Sequence, residues 1–255
     1  NSQLLASTGE FNTSLGSLSM GVGVTTGDYN VALGYRAGED LASANTTTLV
    51  GAFAGLNLTS GTNNTAVGYA ALATEDAHGW NTAVGYAALN YLNAGADAYN
   101  TAVGSGAGAA MTTGVQNTIL GGLAGDALTT GSYNVAIGYE ALSAEDVGGK
   151  NIAIGRRALK VLDGAADGFN TVIGYEAGDA ISTGDENTIM GANAGGLLTS
   201  GQKNTIIGEG ADVASGGAGT DNAIVIGHDA EALGSNTTVI GTTATTNAKV
   251  HGLVK

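Results

Sequence analysis

The stretch Asn64-Thr65-Ala66-Val67-Gly68-Tyr69 returns letter for letter at Asn81-Thr82-Ala83-Val84-Gly85-Tyr86, and the rest of the chain reads as spacer between versions of it. Each version is registered by one glycine. Before it stand an aliphatic residue, a second apolar or small residue, usually Thr, and usually Asn. The glycines are Gly16, Gly34, Gly51, Gly68, Gly85, Gly104, Gly121, Gly138, Gly155, Gly174, Gly191, Gly208, Gly227 and Gly241, with steps of 18, 17, 17, 17, 19, 17, 17, 17, 19, 17, 17, 19 and 14. So short and regular a period marks a stacked array in which each unit contacts only its neighbours. The interval from Gly34 to Gly104 equals that from Gly104 to Gly174 and holds the same series of steps, so a block of four units was itself duplicated.

Two kinds of spacer follow the glycines. The first runs from Ala-Gly to a Thr/Ser-Gly ending, as in AGLNLTSG from Ala54 and AGDALTTG from Ala124. It reads as a second short strand closed by a glycine turn, because glycine accepts a positive φ. The second runs Ala-Leu into a charged or longer insert, as in YAALATEDAHGW from Tyr69, YEALSAEDVGGK from Tyr139 and RRALKVLDGAADGF from Arg156. Inserts in stacked repeats project on one side, where a partner is expected.

Taken as a strand, the motif alternates faces. The residue before the glycine is Leu, Val, Ile or Met in all fourteen copies and is expected inside the coil, as with Val67, Val84 and Ile137. The residue before that is also apolar or small in all but the first copy, which has Ser14. A strand apolar on both faces is buried on both. The Ala66 face, with the glycine column Gly68, Gly85 and Gly138, is therefore expected against another chain, around an axis of closed cyclic symmetry. The Asn column, including Asn64, Asn81 and Asn134, is expected to bond from rung to rung at one corner. The fold class is thus all-β, a parallel β-roll or β-solenoid of about fourteen rungs. It would be roughly 60 Å long at about 4.8 Å per rung. Residues 1–33 read as an irregular edge of the array, 34–241 as the array, and 242–255 as a joint to another module.

The 255 residues include 44 glycines and neither proline nor cysteine. Lack of proline suits strands that donate every backbone N–H. Lack of cysteine removes disulfides, thiolate metal sites and thiol catalysis. No apolar run approaches the roughly 20 residues that span a bilayer, and the start lacks signal-peptide character. A formal charge of −14, with no Lys or Arg between Arg36 and Lys150, argues against nucleic-acid binding. No membrane insertion, no cofactor and no enzyme activity are expected.

Candidate surface residues lie in the inserts. Trp80, Tyr91 and Tyr99 surround one of the longer steps, and aromatic faces suit sugar contact, although Tyr69, Tyr86, Tyr139 and Tyr175 share one repeat position and read as structural. Arg156 and Arg157, with Lys150 and Lys160, form a basic patch that would meet an anionic glycan or pair with neighbouring acids. The pairs Glu39/Asp40, Glu75/Asp76 and Glu145/Asp146 recur at matched places. They would bind Ca²⁺ or act on a glycan if facing pairs met, and otherwise form a solvated acidic loop. His78, His228 and His251 are scattered without a second ligand at metal spacing.

The NTAVGYAAL repeat with its AGxxLTTG spacer resembles the parallel β-roll repeats of bacteriophage tail fibres. It is similar to the SVAIG repeats of trimeric autotransporter adhesin heads, but those are shorter than the repeats of this chain, which favours the tail-fibre member. The likeness spans about Asn12 to Gly241. It implies a homotrimer of left-handed rolls serving as a structural and receptor-recognition segment on a virion tail fibre. Its other partner would be a host surface glycan or protein. The terminal VIGTTATTNAKVHGLVK also resembles the stretch before an endosialidase-type C-terminal chaperone. The alternatives are a bacterial surface adhesin head and a monomeric ice- or polysaccharide-binding solenoid displaying the LTSG and LTTG threonines.

Overall fold

The computed structural model describes residues 8–21, 25–164, 166–214 and 217–245. They form an all-β parallel solenoid of about 13 turns, without a helix. Each turn contributes one three-residue strand to a single 14-stranded parallel sheet, from β1 (Thr13–Leu15) to β16 (Thr238–Ile240). Register never slips. Thr65 lies beside Thr82, Ala66 beside Ala83 and Val67 beside Val84, and the same correspondence holds across the longer step to Thr101, Ala102 and Val103. Extra residues are therefore absorbed in the spacers.

The spacers differ from expectation. AGLNLTSG and its relatives form bends and turns, and among the described residues the only strands outside the main sheet are β13 (Asp212–Val213) and β15 (Glu231–Ala232) near the C-terminal end. Nor does the closing glycine adopt positive φ. Gly61 sits where a Cβ would lie 2.2 Å from the His78 carbonyl oxygen, so a close pass of the next rung, not a left-handed turn, demands glycine there. The left-handed corners fall elsewhere: within the Ala-Gly spacer on Gly55, at φ 56°, and around Gly68 on three residues with side chains, Asn63, Ala70 and Leu72, with φ of 57°, 52° and 51°. Each of these three costs roughly 1 kcal/mol. Repeated backbone bonds between rungs hold them, such as Ala70 N–H to the Ala52 carbonyl at 2.9 Å and Leu72 N–H to the Ala88 carbonyl at 3.0 Å.

The inside and outside of the sheet are also reversed from expectation. The middle strand residues, including Ala32, Leu49, Ala66, Ala83, Ile119 and Val172, are buried within the coil, while the pre-glycine column is turned outward, with Leu120, Met190 and Ile240 close to half exposed. Val67, Val84 and Ile137 belong to that outer column. The physical reason is the Asn two residues before the middle position. Asn64, Asn81 and Asn134 are wholly buried, and each Oδ1 accepts the backbone N–H at the Asn position of the next rung, as from Asn81 to Asn64 at 3.0 Å and from Asn151 to Asn134 at 3.0 Å. Their Nδ2 groups donate to inner carbonyls, at His78 and Gly148 for Asn64 and Asn134. With Asn inside, strand alternation puts Ala66 inside and Thr65 and Val67 outside.

The glycine column is explained by rung stacking within the coil. Gly85 has φ +138°, and a Cβ there would meet the Gly104 carbonyl oxygen at 2.3 Å. The two spacer kinds balance core volume. Where the strand supplies Ala, at Ala66, Ala83, Ala136 and Ala153, the spacer supplies a buried Leu: Leu72, Leu89, Leu142 and Leu159. Where it supplies Leu49, Ile119 or Ile189, that position is Gly55, Gly125 or Gly195. A Cβ on Gly55 would lie 2.7 Å from Leu49 Cδ2. One large side chain thus fills most levels; where the pair is Ala32 with Gly38 or Ala102 with Gly108, a side chain of a neighbouring rung, Leu49 or Ile119, reaches toward the glycine instead, which keeps the interior close-packed.

Candidate functional surface

The outward side of the sheet carries two parallel ranks. One is aliphatic throughout, and the other is mostly threonine, including Thr48, Thr65, Thr82, Thr101 and Thr118 in five successive rungs. Neither rank contains a charged residue, although the chain carries −14. The hydroxyls of Thr65, Thr82 and Thr101 make no hydrogen bond among the described residues. By contrast, the first threonine of the LTSG-type endings is engaged: Thr59, Thr112, Thr129 and Thr199 donate to the carbonyls of Asp76, Thr129, Asp146 and Ala218. The second, as at Thr113 and Thr130, is exposed, so both the sheet and the spacers display threonine hydroxyls.

Aromatic rings touch along the coil, edge to face at Phe53 and stacked at Tyr69 and Tyr86. Tyr35, Phe53, Tyr69 and Tyr86 form a continuous series with centroids 5.3–5.5 Å apart, and Tyr69 and Tyr86 are nearly parallel at 8°. Trp80 stacks on Tyr99 at 5.7 Å, and both remain about half exposed. Rings stacked rung on rung cover one another's faces, so the surface a sugar ring would stack on is partly taken. Tyr91 stands outside these stacks at 59% exposure.

The basic patch is internally paired. Arg157 contacts Glu140 at 2.9 Å and Glu176 at 3.6 Å, Lys160 contacts Glu140 at 3.0 Å, and Arg156 pairs with Glu176 while lying over the Tyr175 ring. Lys160, Arg157 and the Tyr139 hydroxyl hold the Glu140 carboxyl down to about 2. Lys150 is held by Asp167 at 2.7 Å and lies over Phe169. Arg156 and Arg157 therefore sit side by side without forming an open anion cradle. Their partners, Glu140 and Glu176, each follow a repeat-position tyrosine, Tyr139 or Tyr175, in the adjacent rungs.

The repeated acidic pairs do not form a solvated double-acid edge. At the second and third the glutamate turns into the coil, and Glu75 and Glu145 are buried, whereas Asp76 and Asp146 are exposed; Glu39, two places earlier in its rung, is covered but pairs with Arg36. Glu75 and Glu145 occupy the corner filled in other rungs by Leu58, Leu92, Met111 or Leu128. Sequence reasoning missed this substitution, whose signal was an acid at an otherwise aliphatic repeat position. His78 Nδ1 lies 3.2 Å from Glu75 Oε1, and His228 Nδ1 3.1 Å from Asp229 Oδ2. His251 falls outside the described residues. Among those described, no group of three or more His, Asp or Glu side chains is placed to hold a metal ion. Among them, too, no helix is long and apolar enough to cross a membrane. Compared with known proteins, the chain matches no family model, no curated protein and no solved structure.

Proposed function

We propose that this chain is a structural and recognition segment of a trimeric fibre of the bacteriophage tail-fibre kind, with three coils side by side and their outer surfaces meeting a host cell surface. The observation that carries this reading is the uncharged, aliphatic outer rank of the sheet, which continues through all fourteen strands for roughly 60 Å. Contiguous apolar surface on a protein of this charge marks a contact face. The interface assigned by this reading runs through Val67, Val84 and Val103, in place of Ala66 and its column. Threefold closure covers each strip with those of two other copies and leaves none to propagate. A host glycan or protein would meet the spacer side, where Tyr91 and the inserts stand.

Light scattering on the purified chain tests the assembly. A mass near three times 24.8 kDa supports it, and Val84→Asp with Val103→Asp should reduce that mass to one chain while far-UV circular dichroism keeps its β signature. A single-chain mass for the unsubstituted protein overturns the fibre reading. The unengaged threonine rank would then be the surface to test against ice and polysaccharide.

A further inference from the structure

The coil places a carboxyl group in an aliphatic corner twice, at Glu75 and Glu145, at equivalent points of successive four-rung blocks and each one rung before a lengthened step. The first is well solvated by the protein. Glu75 Oε1 accepts the N–H groups of Asp76 and His78 at 3.2 and 3.1 Å, its Oε2 accepts that of Ala94 in the following insert at 3.3 Å, and the His78 ring adds a contact at 3.2 Å. The second is not. At the place of His78 stands Gly148, whose N–H reaches Glu145 Oε1 at 2.7 Å, while Glu145 Oε2 is buried without a hydrogen-bond partner. Asp185 Oδ1 is buried and unpartnered as well, and both residues line a cavity of about 300 Å³ together with Leu162, Gly164 and Asp167.

We propose that Glu145 is a proton-operated latch on the second long insert: its neutral carboxyl packs the corner and holds residues 162–164 and 166–168 closed, and its anion loosens them. The groups facing it are Asp163, Asp167 and Asp185. Neighbouring Asp146 bonds outward to Thr129, and the nearby cation, Lys150, is committed to Asp167. A charge on Glu145 thus meets like charge and, among the described residues, no free counterion, so admitting water to the cavity is the available relief. Burial pushes the Glu145 carboxyl above the ordinary range more than the amides of Gly148, Gly164 and Asp146 pull it down. The sign follows. A folded-state value raised above the unfolded one gives stability that is present at low pH and lost as pH rises through the raised value.

Amide hydrogen exchange on the intact chain, corrected for intrinsic rates, tests this between about pH 4 and pH 8, a range that brackets ordinary and raised carboxyl values. Protection of the Asp163 and Gly168 amides, which bond the Ser182 and Gly149 carbonyls, should fall as pH rises, about tenfold for each unit by which the value is raised. The Asn93 and Ala98 amides of the first insert should stay level, and Glu145→Gln should flatten the response at Asp163 and Gly168. Unchanged pH dependence in Glu145→Gln overturns the latch. If that variant does not fold, the two inserts of the native chain still decide: equal responses overturn the proposal, and a response confined to the second supports it.

Discussion

The sheet side and the spacer side of this coil obey different rules. On the sheet side, three residues per rung are fixed in register from Thr13 to Ile240, the glycine has no room for a methyl group, and no charge intrudes. On the spacer side, rungs lengthen by two residues, aliphatic corners become glutamates, and every ion pair of the chain's described residues is found there. The difference teaches that repetition is enforced where backbone touches backbone. It relaxes where a side chain or a loop can take up the slack.

The sharpest break of that contrast is Gly85→Val. With φ +138° and the Gly104 oxygen 2.3 Å from an added Cβ, it should destabilise the coil by about 4 kcal/mol or more and broaden its thermal melt. A melt unchanged from the native protein would refute rung stacking as the reason for the glycine. A smaller effect is expected inside the coil. Leu49→Ala should cost about 3 kcal/mol in denaturant unfolding, and Gly55→Leu alone should overpack against Leu49. The double variant converts the rung to the Ala/Leu kind and should recover about half of the Leu49→Ala loss, through a coupling of about 3 kcal/mol that also cancels the overpacking. Simple additivity would show that the two spacer kinds are not volume partners. The smallest effect belongs to the outer ion network. Glu140, held near 2 by Lys160 and Arg157, adds stability that is present above its unfolded value and lost as pH falls through about 2. Removing Lys160 or adding salt should move its carboxyl titration, followed by NMR, upward toward the ordinary range.

The period, the parallel array and the rung count were legible in the sequence because a stacked coil repeats its contacts and therefore its letters. The parity of the strand was legible too, but in a different residue from the one that drew attention. Val67 and Ala66 are both apolar and do not distinguish inside from outside. Asn64 does, since a column of amides bonded through the rungs belongs in the interior and carries Ala66 in with it. The spacers were harder, because their two kinds make sense only beside the strand residue they complement, Leu49 with Gly55 or Ala66 with Leu72. Trp80 and Tyr99 were rightly grouped as neighbours, yet their mutual stacking is a property of rung spacing that a linear reading does not display. The inward turn of Glu145 depended on a corner whose usual occupants, such as Leu128 and Leu162, lie in the rungs on either side.

One feature of the backbone also fixes how the coil carries load. The bonds from Thr82 N–H to the Asn100 carbonyl, Gly85 to Val67, Ala87 to Tyr69 and Leu89 to Ala107 all run between rungs, along the length of the coil. Tension along that length therefore strains every bond of a rung boundary together, and no single bond yields while its neighbours hold. Bending loads them unequally and opens a boundary from one side, as a zip. A rod built this way resists being pulled or pressed end to end far better than being peeled. Its first mechanical failure is expected at a terminal rung, where one of the two neighbours is missing.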